Sequence, residues 1–109
     1  MCVLLDACVD PRVAGIIAGH EVRTAHQMGW HRLKDSALIS LVQDQFDVLL
    51  TIDRGFEFEY NVKRLRFGIV IAHVEKNKLE FYQPLKEELL AVLERLGCGE
   101  VIHVGATSP

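Results

Sequence analysis

Val48-Leu49-Leu50-Thr51-Ile52-Asp53-Arg54-Gly55, residues 48–55, is apolar at almost every position up to Ile52 and then stops at an acid, a base and a glycine. A strand with one wet face alternates apolar and polar side chains. This run does not alternate, so both of its faces must be covered, as in a parallel sheet flanked by helices. Upstream, Asp35–Phe46 carries Leu38, Ile39, Leu41 and Val42 at helical spacing. Downstream, 56–65 is ambiguous and admits a short helix, and Ile69–Val74 is a further apolar strand. Pro84–Leu96 is the clearest helix: Leu85, Leu89, Val92, Leu93 and Leu96 share a face, acids come early and Arg95 late. Gly97 and Gly99 close it, and Glu100–Val104 is a last strand. Toward the amino end, Cys2–Leu5 is a short apolar strand that stops at Asp6. Asp10 as N-cap and Pro11 as first helical residue open a helix with Val13, Ile16 and Ile17 on its apolar face, ended by Gly19. Glu21–Ala25 is a strand, and His26–Lys34, with Gly29 and no clear period, is a loop.

Strands alternating with helices predict an α/β fold, a three-layer sandwich around a mostly parallel sheet of about five strands. The chain of 109 residues suits one domain, 1–105, with a short polar tail at 106–109. Its residues are 50% apolar, enough for a packed core, and nothing in the composition suggests disorder. A net charge of -3 excludes a generally basic coat for nucleic acid, though not a local basic groove. No apolar run approaches the roughly 20 residues of a membrane span. Met1–Leu5 lacks a basic n-region and does not read as a signal peptide. Cys2, Cys8 and Cys98 form no CxxC pair, which points to reduced thiols in a cytoplasmic protein and to cysteines buried as small hydrophobes.

Ligand sites in open α/β sheets lie beyond the carboxyl ends of the strands. Asp6 follows the first strand, Asp53 follows the third, and Asp35 begins the helix that leads into the third. Three carboxylates could converge there. Like charges at close range raise one another's pKa, a cost that a divalent cation reverses. Hard oxygen donors suit Mg²⁺ or Mn²⁺, and two such ions roughly 3.5–4 Å apart are the usual machinery of phosphodiester hydrolysis. Arg12, Arg32, Lys34 and Arg54 lie near these acids and could hold a phosphate backbone. Each residue also has a purely structural reading. Asp35 would cap a helix, Asp53 would make an Asx turn, and the bases would pair with acids or face water.

His26 and His31 have no Cys or acid at a zinc spacing, His73 and His103 read as core or edge histidines, and Trp30 reads as a plug on the core. P-loop, GxGxxG and Gly-x-Ser-x-Gly motifs do not occur.

Val3-Leu4-Leu5-Asp6 before a Pro-containing helix, Gly19-His20-Glu21-Val22, Asp35-Ser36-Ala37-Leu38-Ile39 and Leu49-Leu50-Thr51-Ile52-Asp53-Arg54-Gly55-Phe56 come in an order that resembles the short PIN-like proteins. These are compact relatives of the VapC-type toxin nucleases. The resemblance runs from Met1 to Val104 and implies a Mg²⁺- or Mn²⁺-dependent endoribonuclease. Asp6, Asp35 and Asp53 would be its catalytic metal ligands, and Thr51 a hydroxyl supporting them. It also implies an RNA substrate, a toxin–antitoxin setting with an antitoxin protein as partner, and a homodimer. The sequence departs from the family at three places. Ala7-Cys8 stands where Glu-Asn commonly follows the first acid, Gly55 stands where a second acid follows the Thr-x-Asp motif, and the additional helix acid has no clear counterpart. Glu57 or Asp10 would be the substitutes. The departures open a second reading, a non-catalytic PIN-like module that binds RNA or a protein. A phosphoacceptor role for Asp53, as in response regulators, expects paired early acids and a late lysine that this chain lacks.

Overall fold

The computed structural model describes residues 1–105, so the tail at 106–109 lies outside the described residues. Five strands, β1 (Cys2–Leu5), β2 (Glu21–Thr24), β3 (Val48–Thr51), β4 (Gly68–Ala72) and β5 (Val101–Val104), form one sheet in the order β2-β1-β3-β4-β5. Every pairing is parallel. Side chains of a strand point alternately to its two faces. Val3, Leu5, Val48 and Leu50 accordingly enter one core, against Val13, Leu89 and Leu93. Leu4, Leu49, Ile69 and Ile71 enter the other, against Leu38, Val42 and Phe56. Two cores on one sheet make the three layers expected from the unalternating strands.

The helices are α1 (Ala25–Met28), α2 (Asp35–Gln45), α3 (Phe56–Glu59), α4 (Leu79–Tyr82) and α5 (Lys86–Arg95). Several differ from expectation, each for a local reason. The segment after Asp10 is a 3₁₀ turn, Pro11–Ile16, and not a helix reaching Gly19. Its β-branched residues and Gly15 propagate an α-helix poorly. The expected loop at His26 contains α1, held by a capping box. Thr24 accepts from Gln27 N, Gln27 reaches back to Thr24 N, and Gly29 ends the turn at φ 76°. The expected helix from Pro84 is broken into a 3₁₀ turn, Gln83–Leu85, and α5, with α4 ahead of them. Pro84 has no N–H to continue the ladder from α4. Asp35 is the first residue of α2, and Lys34 holds the cap position, so the expected capping role of Asp35 is not observed.

Asp10 joins two loops on one side of the molecule. It is 6% exposed. Its carboxylate accepts from Arg12 N at 3.0 Å, from Arg12 Nη2 at 2.7 Å and from Leu79 N at 3.1 Å. Asn77 Oδ1 accepts from Asp10 N at 2.8 Å and from the buried Tyr82 hydroxyl at 2.6 Å, and Asn77 Nδ2 donates to Cys8 O at 2.7 Å. The Arg12 hydrogen bonds hold the Asp10 carboxyl at about 2, and burial pushes the Tyr82 phenol up to about 12.

Candidate active site at the carboxyl edge of the sheet

From β1 the chain crosses to β2 on one side and then returns to β3 on the other. This reversal opens a crevice at the carboxyl ends of β1 and β3, where ligands of doubly wound sheets bind. Asp6 sits on one lip. Its backbone N donates to Leu50 O at 2.9 Å, continuing the β1–β3 ladder by one bond. Oδ1 of its carboxylate accepts from Ala7 N at 2.8 Å, and Oδ2 accepts from the Thr51 hydroxyl at 2.8 Å. Thr51 is fully buried and uses both of its hydrogen-bonding roles, since its oxygen accepts from Asp53 N at 3.1 Å. One hydroxyl therefore ties the acid after β1 to the backbone of the acid after β3.

Asp53 is exposed, and its Oδ1 accepts from Gly55 N at 3.0 Å, the Asx turn that the sequence suggested. Asp35 is half-buried and accepts from the Tyr60 hydroxyl at 3.3 Å. Burial raises the Tyr60 pKa, with further contributions from Asp35, Glu59 and Asp53, so this phenol lies in the field of two of the candidate acids. The structure thus links Asp6 to Asp53 through Thr51, and Asp35 to the same neighbourhood through Tyr60. It does not gather them into a ready ligand set: among the described residues, no three His, Cys, Asp or Glu side chains form a group that could hold a metal. Asp10 and Glu57, the expected substitutes, are engaged by Arg12 and His103.

The donors that Asp6, Asp53 and Thr51 offer are hard oxygens, which fit Mg²⁺ or Mn²⁺. Cys8 is close, with Sγ 3.5 Å from Asp6 Oδ2 and from Thr51 Oγ1. Burial raises its pKa, which favours the thiol form.

Of the basic residues, Arg12 pairs with Asp10 at 2.7 Å and lines a cavity of about 390 Å³ with Lys78, Leu79, Glu80 and Gln83. Arg32 and Lys34 are exposed just before α2, and Arg54 is exposed beside Asp53. Comparison of the chain with family models, with curated proteins and with solved structures gave no match. No helix among the described residues is long and apolar enough to cross a membrane.

The expected burial of the cysteines is corrected. Cys98 is exposed in the turn between Gly97 and Gly99, where its thiol donates to Arg66 O at 3.1 Å, and Cys2 and Cys8 are half-buried. Trp30 does plug the core, edge-on to Phe46 with ring centroids 5.9 Å apart. His26 and His31 stack on each other, exposed, at 4.7 Å.

Sequence reasoning missed one constellation. His103 Nε2 lies 2.6 Å from Glu57 Oε1, and His103 Nδ1 lies 2.7 Å from His73 Nε2. Burial lowers the His73 pKa first, then Arg54 and His103, with Glu57 opposing. No spacing signals this set, because β4, β5 and α3 bring its members together from far apart in the chain.

Proposed function

We propose that the chain is a divalent-metal-dependent endoribonuclease of the PIN-like kind, acting in the cytosol on RNA phosphodiester bonds. The observation that carries this reading is the Asp6–Thr51–Asp53 connection across the crevice between β1 and β3. Asp6 and Asp53 would hold the cation, with Asp35 contributing charge from the Tyr60 side. A Mg²⁺ or Mn²⁺ ion bound there supplies Lewis-acid polarisation of a phosphoryl oxygen and a more acidic water. Thr51 fixes the Asp6 carboxylate and so preorganises it, and Arg54, with Arg32 and Lys34, binds the RNA backbone. A toxin role, an antitoxin protein that restrains it and a homodimer belong to the same proposal.

The second reading is a PIN-like module that binds RNA or a protein without cleaving. Ala7 and Gly55 favour it, standing where the PIN-like proteins it resembles carry further polar or acidic side chains, as does the Asp35 carboxylate already bonded to Tyr60.

Calorimetry with Mn²⁺ separates the two. Saturable binding by the wild type that disappears in Asp6→Ala combined with Asp53→Asn supports the nuclease. Heat-silent titration of the wild type sinks it and leaves the binding module.

A further inference from the structure

Resting on the phosphodiester reading, we propose that Glu57, His103 and His73 form a proton relay whose outer nitrogen, His73 Nδ1, is the general base and acid of the cleavage step. Two short contacts carry the relay. Glu57 is a carboxylate and only accepts, so His103 donates to it from Nε2 at 2.6 Å. In the relay as proposed, His103 carries its proton on Nε2 and accepts at Nδ1 from His73 Nε2, 2.7 Å away. In that arrangement the lone pair of His73 is on Nδ1, the ring nitrogen not engaged by His103. A carboxylate that fixes the tautomer of a histidine, and through it the basic nitrogen of the acting one, is the logic of an acid–base triad with a second imidazole inserted.

The same geometry argues against a metal at these three residues. His103 turns its two nitrogens to opposite sides, one to Glu57 and one to His73, so the three side chains do not converge on one ion.

Placement also fits. The β3–β4 register pairs Thr51 with Ile71, so the strand ends that carry Asp53 and His73 are neighbours on the carboxyl edge. His103 is on β5, paired with Ile71 from the other side. The charged or titratable groups acting on His73 are Arg54, His103 and Glu57. Burial first and Arg54 second lower the His73 pKa, which favours the neutral imidazole, and Arg54 is exposed beside Asp53.

The step balances without any redox partner. A water attacking phosphorus gives one proton to His73 Nδ1 as its O–P bond forms. The P–O bond to the leaving ribose oxygen breaks, and that oxygen takes the proton from Nδ1. The Glu57 charge steadies the transient imidazolium through His103. His73 is the catalytic residue here, and His103 and Glu57 position it.

The test uses a labelled single-stranded RNA with Mn²⁺ and the full chain. His73→Gln is expected to lower kcat about 10²-fold, with KM and Mn²⁺ affinity unchanged and the acid limb of the pH–rate profile lost. Added imidazole should restore part of the activity of His73→Ala, which a merely structural role would not allow. Glu57→Gln, which still accepts from His103 but carries no charge, should lose less. Nitrogen-15 NMR of the wild type reads the tautomers without turnover, with the His73 proton expected on Nε2 and none on Nδ1 at pH 7. A His73→Gln enzyme with the wild-type rate and acid limb overturns the relay alone, and so does a proton found on Nδ1. A wild type that cleaves no RNA at any Mn²⁺ concentration overturns the phosphodiester reading, and the role of His73 in it.

Discussion

Thr51 and Asp10 are both buried polar residues in a largely apolar molecule, and each is held by named partners. Thr51→Val keeps the shape and removes the hydroxyl. Asp6 then loses a donor at 2.8 Å and Asp53 N loses an acceptor at 3.1 Å. The expected cost is about 1–3 kcal/mol, read as a lower urea midpoint at unchanged m-value, together with weaker Mn²⁺ binding. Asp10 gives a pH prediction. Its folded pKa of about 2 lies below the usual carboxylate value because Arg12 stabilises the charged form. A depressed pKa contributes stability that is fully present above the unfolded pKa, about 3.9, and is lost as pH falls through the folded value. Allowing for water around the exposed guanidinium, the contribution is about 1–2 kcal/mol. Asp10→Asn should therefore lower the melting temperature at pH 6 and flatten its fall between about pH 4 and 2. Equal slopes for variant and wild type would remove Asp10 from the account.

Elements met expectation where one pattern ruled them and departed where two competed. β1 and β3 were legible because four or five apolar residues end on an acid, and α2 because Leu38, Ile39 and Val42 recur at helical spacing. α1 was signalled by Thr24-Ala25-His26-Gln27, a capping box hidden by the absence of an apolar stripe. α4 was not legible, since Leu79–Tyr82 is one turn held by tertiary contacts, with Tyr82 buried and Leu79 N donating to Asp10. The start of β4 shows how packing decides an end. A Cβ on Gly68 would lie 2.6 Å from the Leu96 side chain and 2.8 Å from Gly97 O, so the strand and the end of α5 touch only because the residue is glycine. Gly68→Ala should destabilise by about 1–3 kcal/mol, and with Leu96→Ala, itself a core truncation, the two losses should sum to less than additive because the smaller side chain makes room. Additive losses in the thermal melts of the double variant would show that the backbone of Gly97, not the leucine, sets the limit.

At the scale of the molecule, Asp6 and Asp53 could be placed from the sequence because strand ends in a parallel sheet share an edge. The partner of Asp35 could not, since Tyr60 comes from a segment with no readable period, and the Glu57–His103–His73 chain needed the β4–β5 register. The same topology makes metal binding a property of the folded chain. Among the described residues, Asp6 and Asp53 are joined by the β1–β3 pairing and the Thr51 hydroxyl, and unfolding separates them. An ion that binds the folded state alone stabilises it by about 2.7 kcal/mol at a hundred times its Kd. For a domain of this size that is a rise in Tm of roughly 10–20 °C. Mn²⁺ should therefore raise the Tm of the wild type along a saturable curve, with a chelator reversing it, and leave Asp6→Ala with Asp53→Asn unmoved. His73→Gln should keep the full rise, because His73 is not among the residues that would hold the cation. A flat curve for the wild type would mean that the crevice between β1 and β3 holds its carboxylates through Thr51 for shape alone, which favours the binding module over the nuclease.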